Sequence, residues 1–278
     1  MNKDVVKKAV RERFGRTAKQ SCSCGGGKSS YSLDADSIQA VSKLAGYSDQ
    51  DLRSIPDGAN LGLGCGNPLA LARIKEGDVV LDLGSGAGFD CFLAASIVGD
   101  QGLVIGVDMT PEMIEKAKEN AWNSSCRNVE FRLGEIENLP VASNSVDAVI
   151  SNCVINLSTD KQQVFREVYR VLKPGGKLMV SDMVLLKELP DVIHDSIDAY
   201  VVCVAGAMRK EDYLGVIEGA GFQEVTIEGE SHFPAELIAL QPVVNEVVDK
   251  LNISMDELLE IGRSVVSMKV SARKSVLS

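Results

Sequence analysis

The feature that most constrains the fold is an alternation of apolar, strand-like segments with helical ones between residues 79 and 184. The strand-like segments read VVLDL, LVIGVD, NVEFRLG, SVDAVISN and KLMVSD. Helical patterns such as FDCFLAASIVG, PEMIEKAKENA and DKQQVFREVYRVL stand between several of them. Continuous apolar strands that are joined through helices form parallel sheets covered on both faces. The alternation therefore predicts an α/β fold with a doubly wound, mostly parallel sheet.

The chain divides into three predicted regions around this alternation. Residues 1–59 are predicted as an N-terminal helical segment that carries a flexible CxC loop, SCSCGGGKSS, and residues 60–184 as a cofactor-binding core. Residues 185–278 are predicted as substrate-binding helices and closing strands. Within them, residues 189–208 read as a long helical stretch, and the segments QEVTIEG and SVVSMKVSARK read as strands that bring the sheet to seven. The segment between those two strands is predicted as a helical pair.

Charge and composition exclude several classes of partner. The 278 residues carry a formal net charge of -10, which is unsuited to phosphate neutralisation, so no nucleic-acid partner is expected. No apolar run is long enough to cross a bilayer, and the N-terminus MNKDVVKKAVRERFGRT lacks the apolar stretch of a signal peptide. We therefore expect a cytoplasmic protein with no membrane partner. The seven cysteines favour thiol chemistry over a disulfide framework in such a reducing compartment.

The segment VVLDLGSGAG is the predicted cofactor loop, since a strand runs into Gly84, Gly86 and Gly88 just before a helix. Glycines at this place allow a tight turn and a close approach of the backbone to a ligand. A dinucleotide fingerprint has its third glycine one position later, where Phe89 stands, so the spacing favours a smaller nucleoside. Asp108 ends the next strand, at the place where a carboxylate accepts hydrogen bonds from the ribose hydroxyls.

Further cofactor contacts are predicted at the ends of the following strands. Met109 is placed to pack on an adenine face, and Glu135 with Ile136 to border the base, although Met109 and Ile136 also suit a plain core. Open α/β sheets bind ligands at the carboxyl ends of their strands, where Asn152 stands. The full predicted set is Asp82, Gly84, Ser85, Gly86, Gly88, Asp108, Met109, Glu135, Ile136 and Asn152.

Three cysteines far apart in the chain are the candidate substrate ligands. Cys65 lies in LGLGCGNP, Cys153 in SNCVINL and Cys203 in VVCVAGA, each beside a turn marked by glycine or asparagine. Thiolates are soft ligands, so the trio suits a soft, thiophilic substrate next to the cofactor. A free cysteine is often only a small buried hydrophobe, which is how we interpret Cys91 and Cys126. Zinc is poorly supported, because the chain has no CxxC pair and only two histidines.

Longer blocks carry a resemblance to a known family. VLDLGSGAGFD, GVDMTPEMIEKA, NVEFRLGEIENLP, SNCVINLSTDKQQVFREVYRVLKPGG and SVVSMKVSARK resemble class I methyltransferases that use S-adenosyl-L-methionine, over residues 60–278. Within that superfamily, CGNP, SGAGFDCFLAA, SNCVINL and VVCVAGA resemble arsenite methyltransferases. The resemblance implies a Rossmann-like sheet with S-adenosylmethionine bound by residues 60–184. It also implies that arsenite and methylated arsenicals are the substrates, with Cys65, Cys153 and Cys203 as the arsenic ligands.

The resemblance also implies a redox step at the N-terminus. A further cysteine in that family forms a disulfide with a site cysteine, which thioredoxin or glutathione then reduces; here Cys22 and Cys24 are both candidates, because the register departs from the family. Many members carry an aromatic residue just before the first binding cysteine, where this chain has Leu63 and Gly64. We expect a monomer.

The chemistry of trivalent arsenic suits three thiols. Arsenic bound by three sulfurs keeps a lone pair opposite them, so methyl transfer to it is an in-line displacement that positioning accelerates without a general base. Two other functions stay open. A methyltransferase of a small organic acceptor would need a positioned base, and both histidines, His194 and His232, lie outside the strong motifs. A metalloid-binding module without turnover would have no use for the glycine loop and Asp108.

Overall fold

The computed structural model describes residues 2–20, 35–70, 72–124, 126–232, 248 and 254–276. Within these ranges the helices are α1 (Lys3–Gln20), α2 (Ala35–Leu44), α3 (Asp49–Ser54), α4 (Phe89–Val98), α5 (Pro111–Ser124), α6 (Lys161–Val171), α7 (Asp191–His194), α8 (Ile197–Tyr200), α9 (Lys210–Gly219) and α10 (Met255–Ser264). The strands are β1 (Val79–Leu83), β2 (Leu103–Asp108), β3 (Val129–Leu133), β4 (Val146–Asn152), β5 (Leu172–Leu185), β6 (Met208–Arg209), β7 (Gln223–His232) and β8 (Val265–Arg273). A 3-10 turn spans Ile155–Leu157.

One sheet organises the molecule, with the strand order β3-β2-β1-β4-β5-β8-β7. The pairs from β3 through β5 are parallel, whereas β8 runs antiparallel to both β5 and β7. The prediction of a doubly wound, mostly parallel seven-stranded sheet is confirmed. The two-residue strand β6 pairs with β5 and adds an eighth strand.

The central strand β1 shows why this sequence forms a sheet with two covered faces. Val80 packs into a cluster with residues of α4 on one face, and Leu81 packs with Phe165 of α6 on the other. All three side chains are buried. Side chains alternate between the two faces of a strand, so an unbroken apolar run covers both. Each such side chain contributes about 1.5–3 kcal/mol by leaving water.

The prediction of a long helix over residues 189–208 is wrong. Only the four-residue helices α7 and α8 form there, and turns follow. Cys203 has a φ of 65°, which ends any helix because a left-handed residue cannot continue the right-handed hydrogen-bond ladder. A Cβ on Gly206 would overlap the carbonyl oxygen of Asn156. Close packing against the 3-10 turn therefore outweighs the local helical pattern.

Helix α1 packs across the carboxyl end of the sheet. Val6 and Val10 are buried in a cluster with Leu157 and Tyr200. Near its end, Lys19 forms an ion pair with Glu112 of α5, with Nζ 2.8 Å from the carboxylate. The N-terminal helix is thus part of the same packed body as the strand ends.

Some predictions fall on residues outside the described ranges. They include the CxC loop with Cys22 and Cys24 and most of the helical pair between β7 and β8, of which residue 248 and the segment 254–264 with α10 are described. Helix α3 was not predicted, although Ser48 and Asp51 form a capping box at its start. Within the described ranges, no helix combines the length and the apolar character needed to cross a bilayer.

Candidate active site

A cavity of about 270 Å³ opens at the carboxyl ends of β1, β2 and β4, under α1. It is lined by members of both predicted sets, the cofactor residues and the cysteines. The predicted residues that line it are Cys65, Asp82, Gly84, Ser85, Gly86, Asp108, Met109, Ile136, Asn152, Cys153 and Cys203. Gly88 and Glu135 are not among the lining residues. Helix α1 contributes Lys7, Arg13 and Phe14, which sequence reasoning did not place there.

The glycine loop has the left-handed backbone that its sequence suggests. Gly84, Gly86 and Gly88 have φ values of 65°, 52° and 95°, a region that residues with a Cβ rarely adopt. A Cβ on Gly84 would overlap Val154, whereas one on Gly86 would have Met113 Sδ as its nearest neighbour, at 4.0 Å. A Cβ on Gly88 would come within 2.7 Å of the Phe92 ring. Gly84 and Gly88 therefore serve packing, and Gly86 leaves open space on the cavity side.

The Asp108 carboxylate ties this loop to the end of β2. Its Oδ2 accepts a hydrogen bond from Gly86 N at 3.0 Å, and its Oδ1 accepts one from Thr110 N at 2.8 Å. Burial raises the pKa of this carboxyl, and the backbone hydrogen bonds oppose that rise. Each carboxylate oxygen can accept a second hydrogen bond. Asp108 can therefore orient the loop and still accept a hydroxyl from a ligand.

Glu135 and Ile136, predicted together, occupy different places. The Glu135 carboxylate lies 2.7 Å from Lys7 Nζ and 2.5 Å from Arg11 Nη2, so it pairs with α1 instead of bordering the cavity. Ile136 is buried, and both Ile136 and Glu137 line the cavity. Because side chains on adjacent residues of the loop point in different directions, the sequence alone did not tell which one would turn toward α1.

The three candidate cysteines lie on one wall of the cavity. Cys65 and Cys153 are joined by a disulfide whose Cα atoms are 5.9 Å apart. The Cys203 thiol donates to the carbonyl oxygen of Cys153 at 3.2 Å. Cys91 is fully buried and Cys126 half-buried, and neither is among the residues that line the cavity. The three predicted ligand cysteines thus line the cavity, whereas Cys91 and Cys126 do not.

Two of the cavity cysteines have an unusual backbone. Cys153 has a φ of 61° and Cys203 a φ of 65°. A residue with a Cβ in this region costs about 1–2 kcal/mol, and such residues cluster at functional sites. Cys153 N also donates to Ser181 O at 2.9 Å, so this residue is held between the ends of β4 and β5.

A buried carboxylate, Asp182, lies behind the thiols, and sequence reasoning missed it. One of its oxygens and the Cys65 and Cys153 sulfurs all lie within 4.8 Å of one another. Asn156 Nδ2 donates to its Oδ1 at 2.9 Å, and the Tyr213 hydroxyl donates to its Oδ2 at 3.1 Å. Burial raises the pKa of Asp182 to about 7. Its position at the carboxyl end of the predicted strand KLMVSD is the feature of the sequence that indicates a site residue, because ligands of open α/β sheets bind at such strand ends.

The thiol of Cys203 is held in its protonated form. Burial, and then the charge of Asp182, raise its pKa to about 12. At neutral pH this cysteine therefore enters any reaction as a thiol that still carries its proton.

Two further carboxyls, Asp82 and Asp90, are buried on the side of the cavity that the glycine loop and Asp108 line, which we call the cofactor side after the prediction. The Tyr47 hydroxyl donates to Asp90 Oδ1 at 2.6 Å, and Cys91 Sγ donates to Asp82 Oδ2 at 3.2 Å. Burial raises the pKa of Asp90 to about 6, and burial together with the charge of Asp90 raises that of Asp82 well above its usual value. A cation that enters the cavity would lower both values, so this side suits a positively charged ligand.

Comparisons with known proteins agree with this geometry. A family model described as a methyltransferase domain matches residues 74–221. An arsenite methyltransferase of Halobacterium salinarum is 51% identical over 231 residues, which are 81% of this chain and 59% of that protein. Human arsenite methyltransferase is 40% identical over 168 residues, 57% of this chain and 44% of that protein.

A solved structure is similar over most of the fold. The crystal structure of an arsenic(III) S-adenosylmethionine methyltransferase from Chlamydomonas reinhardtii has a TM-score of 0.62 and 31% identity, covering 87% of this chain and 74% of that one. This chain spans about half the length of the curated relatives that it matches.

Proposed function

This chain belongs to the methyltransferase-domain family, and from that premise we propose that it transfers methyl groups from S-adenosylmethionine to trivalent arsenic held by Cys65, Cys153 and Cys203. The observation that carries the proposal is that a single cavity is lined both by the glycine loop with Asp108 and by all three cysteines. The similarity to arsenite methyltransferases supports the choice of substrate.

The residues on the cofactor side fit S-adenosylmethionine. The open space at Gly86 admits a ligand close to the backbone, and Asp108 would hold the ribose hydroxyls. Met109 and Ile136 are apolar walls suited to the adenine ring, and Asp82 faces the cavity with a carboxyl suited to a cationic group. When bound, S-adenosylmethionine supplies an electrophilic methyl group.

The cysteines would bind arsenic by exchange of its hydroxide ligands. Each exchange replaces an As–O bond by an As–S bond, and the proton of the thiol leaves with the oxygen as water. The raised pKa of Cys203, about 12, keeps that proton on the sulfur until the exchange. Three sulfur ligands leave the arsenic lone pair free as the nucleophile, so this site needs to position the atom more than to deprotonate it.

The disulfide between Cys65 and Cys153 must be reduced before both sulfurs can bind arsenic. That reduction takes two electrons and two protons from a thiol reductant, and we assign this role to thioredoxin or glutathione. Cys22 and Cys24, outside the described residues, remain the candidates for the thiols that exchange with this pair. The reduced enzyme acts as a monomer in the cytoplasm in this scheme.

In this scheme the substrate ligands come from both predicted regions and not from residues 185–278 alone. Residues 60–184 supply the glycine loop, Asp108, Cys65 and Cys153, while Cys203 comes from residues 185–278. An organic acceptor is a weaker alternative, because the histidines, both exposed, are absent from the cavity lining.

The proposal is tested by incubating the reduced protein with arsenite, S-adenosylmethionine and a thiol reductant, then separating the arsenic species by chromatography with mass detection. We expect methylated arsenic, with one S-adenosylhomocysteine formed for each methyl group. Bound arsenic without methylated product would instead indicate a metalloid-binding module. Absence of both binding and methylation under these conditions would contradict the proposal.

A further inference from the structure

The side chain of Asn152 holds the backbone that carries Cys65. Its Oδ1 accepts hydrogen bonds from Cys65 N at 3.0 Å and from Gly66 N at 3.3 Å. Its Nδ2 donates to Gly66 O at 2.7 Å. Since Cys153 is the next residue in the chain, one side chain connects the backbones of two cysteines that are 88 positions apart.

Two neighbours hold the amide of Asn152 in turn. Its Nδ2 lies 3.0 Å from the Tyr47 hydroxyl oxygen and 3.2 Å from Asp90 Oδ2. Tyr47 is itself buried, and its ring packs edge-on against Phe89 at 4.6 Å between centroids. The hydrogen bond from Tyr47 to Asp90 closes the triangle of polar groups. This network orients the amide with its oxygen toward the Cys65 backbone.

Glycines on both sides of Cys65 allow its loop to approach β4 and β5 closely. A Cβ on Gly64, which has a φ of 100°, would lie 2.7 Å from Asn152 Nδ2. A Cβ on Gly66 would overlap the Ser181 hydroxyl on β5. The loop therefore lies in contact with β4 and β5, and the Cys65 sulfur has little freedom to move relative to Cys153.

The polar atoms of Asn152 have no capacity left for a ligand. Its amide oxygen has two lone pairs and two backbone N–H donors, and its nitrogen has two hydrogens for three acceptors. A cofactor contact through this side chain, as its position after β4 suggested, would break one of these bonds.

We propose that Asn152 is a positioning residue that sets the separation of the Cys65 and Cys153 thiols, with Tyr47 and Asp90 holding its amide. The contribution of Asn152 to arsenic binding rests on the proposed function, in which the two thiols are substrate ligands. Aspartate cannot replace it: the carboxylate lacks the donor to Gly66 O and places a second negative charge beside Asp90.

The test measures how readily the two thiols pair, in the absence of arsenic and S-adenosylmethionine. The full chain is equilibrated in glutathione buffers, where the protein dithiol and oxidised glutathione exchange with the protein disulfide and two reduced glutathiones. After an acid quench and alkylation, peptide mapping quantifies the Cys65–Cys153 disulfide. The midpoint gives the effective concentration of one thiol at the other.

Two variants and one control complete the experiment. We expect Asn152→Leu, which is similar in size but apolar, to lower the effective concentration by at least about tenfold, and Tyr47→Phe to lower it by about threefold. Asn128→Leu is the matched control, because Asn128 also donates to two backbone carbonyls, at Ala95 and Gly99, away from the cavity. This control should stay within about twofold of the parent protein.

The outcomes separate positioning from a general loss of structure. Folded Asn152→Leu protein with the parental disulfide equilibrium would overturn the proposal, as would an equal fall in Asn128→Leu. If Asn152→Leu does not fold, Tyr47→Phe decides the question by the same measurement.

In the methylation assay, a raised KM for arsenite with an unchanged Kd for S-adenosylmethionine supports positioning, whereas a raised Kd alone would make Asn152 a cofactor ligand. Failure of the proposed function would leave the disulfide result intact.

Discussion

Both sides of the cavity use a left-handed backbone conformation, but only the side with the cysteines places residues that have a Cβ in it. On the cofactor side, the left-handed positions are Gly84, Gly86 and Gly88, which adopt it at little steric cost. On the thiol side Gly64 shares this conformation, but Cys153 and Cys203 adopt it as well, at a cost of about 1–2 kcal/mol each. The difference fits the proposed function, in which a ligand approaches the backbone at Gly86 on one side and sulfur atoms hold the substrate on the other.

The two sides also differ in how their residues come together. The glycine loop follows β1 directly, and Asp108 ends the neighbouring strand. The thiol side joins residues 88 positions apart in the disulfide and 50 apart in the contact of Cys203 with Cys153. Local sequence therefore forms the first side, and tertiary packing assembles the second.

The largest expected effect is the loss of arsenic methylation in Cys153→Ser. A hydroxyl is a hard, poor ligand for trivalent arsenic, and removing a group that holds the reacting atom lowers rates by about a thousandfold or more. The rate is measured by arsenic speciation, and S-adenosylmethionine binding should persist. Cys126→Ser, away from the cavity, should keep the parental rate. Parental activity in Cys153→Ser would remove the distinction between a thiol side and a cofactor side.

A pH titration of stability tests the buried carboxyls of the cofactor side. Burial raises the pKa of Asp90 from 3.8 to about 6, so the folded state favours the protonated form. Protonation of Asp90 therefore stabilises the folded relative to the unfolded state. This contribution is complete below the unfolded pKa and is lost as the pH rises through about 6, a change of about 3 kcal/mol in the free energy of unfolding. Urea unfolding at several pH values measures it, and Asp90→Asn should remove this part of the pH dependence. The same slope in the variant would assign it to another buried carboxyl whose pKa is raised, namely Asp82, Asp108 or Asp182.

A smaller effect is expected for cofactor affinity in Asp108→Ala. The loss of a charged hydrogen-bond acceptor should weaken S-adenosylmethionine binding by about 1.5–3 kcal/mol, and the loop bond to Gly86 is lost with it. Isothermal calorimetry measures the change, with the exposed Asp100→Ala as control. Unchanged affinity in Asp108→Ala would mean that the cofactor side is recognised by other groups.

The smallest effect concerns the strained backbone itself. Cys203→Gly and Cys203→Ala both remove the thiol, but only glycine relieves the left-handed strain, so the glycine variant should unfold at a free energy about 1 kcal/mol higher. At Cys91, which lies in the helix α4, the order should reverse, because glycine gains more freedom on unfolding. Urea unfolding of the four variants decides it. Equal stabilities at position 203 would show that the thiol side carries no such strain.

Several features could be read from the sequence because they depend on neighbours along the chain. The period of apolar residues determined the strands and most helices, and the spacing of glycines before α4 determined the loop. Asp108 followed from its place at the end of a strand. The capping box at Ser48 and Asp51, which starts α3, is likewise a signal within four residues of sequence.

Other features were decided only by the tertiary structure. The helical pattern of residues 189–208 gave way to packing against the 3-10 turn, and Glu135 turned toward the charges of α1. The sequence predicted the cysteines to be soft ligands, but the Cys65 and Cys153 Cα atoms come within 5.9 Å of each other only where the loop before β1 contacts the ends of β4 and β5. Periodicity and turn chemistry report short-range sterics within a few residues. Which side chains meet across the chain depends on how whole elements pack, and that information is not local.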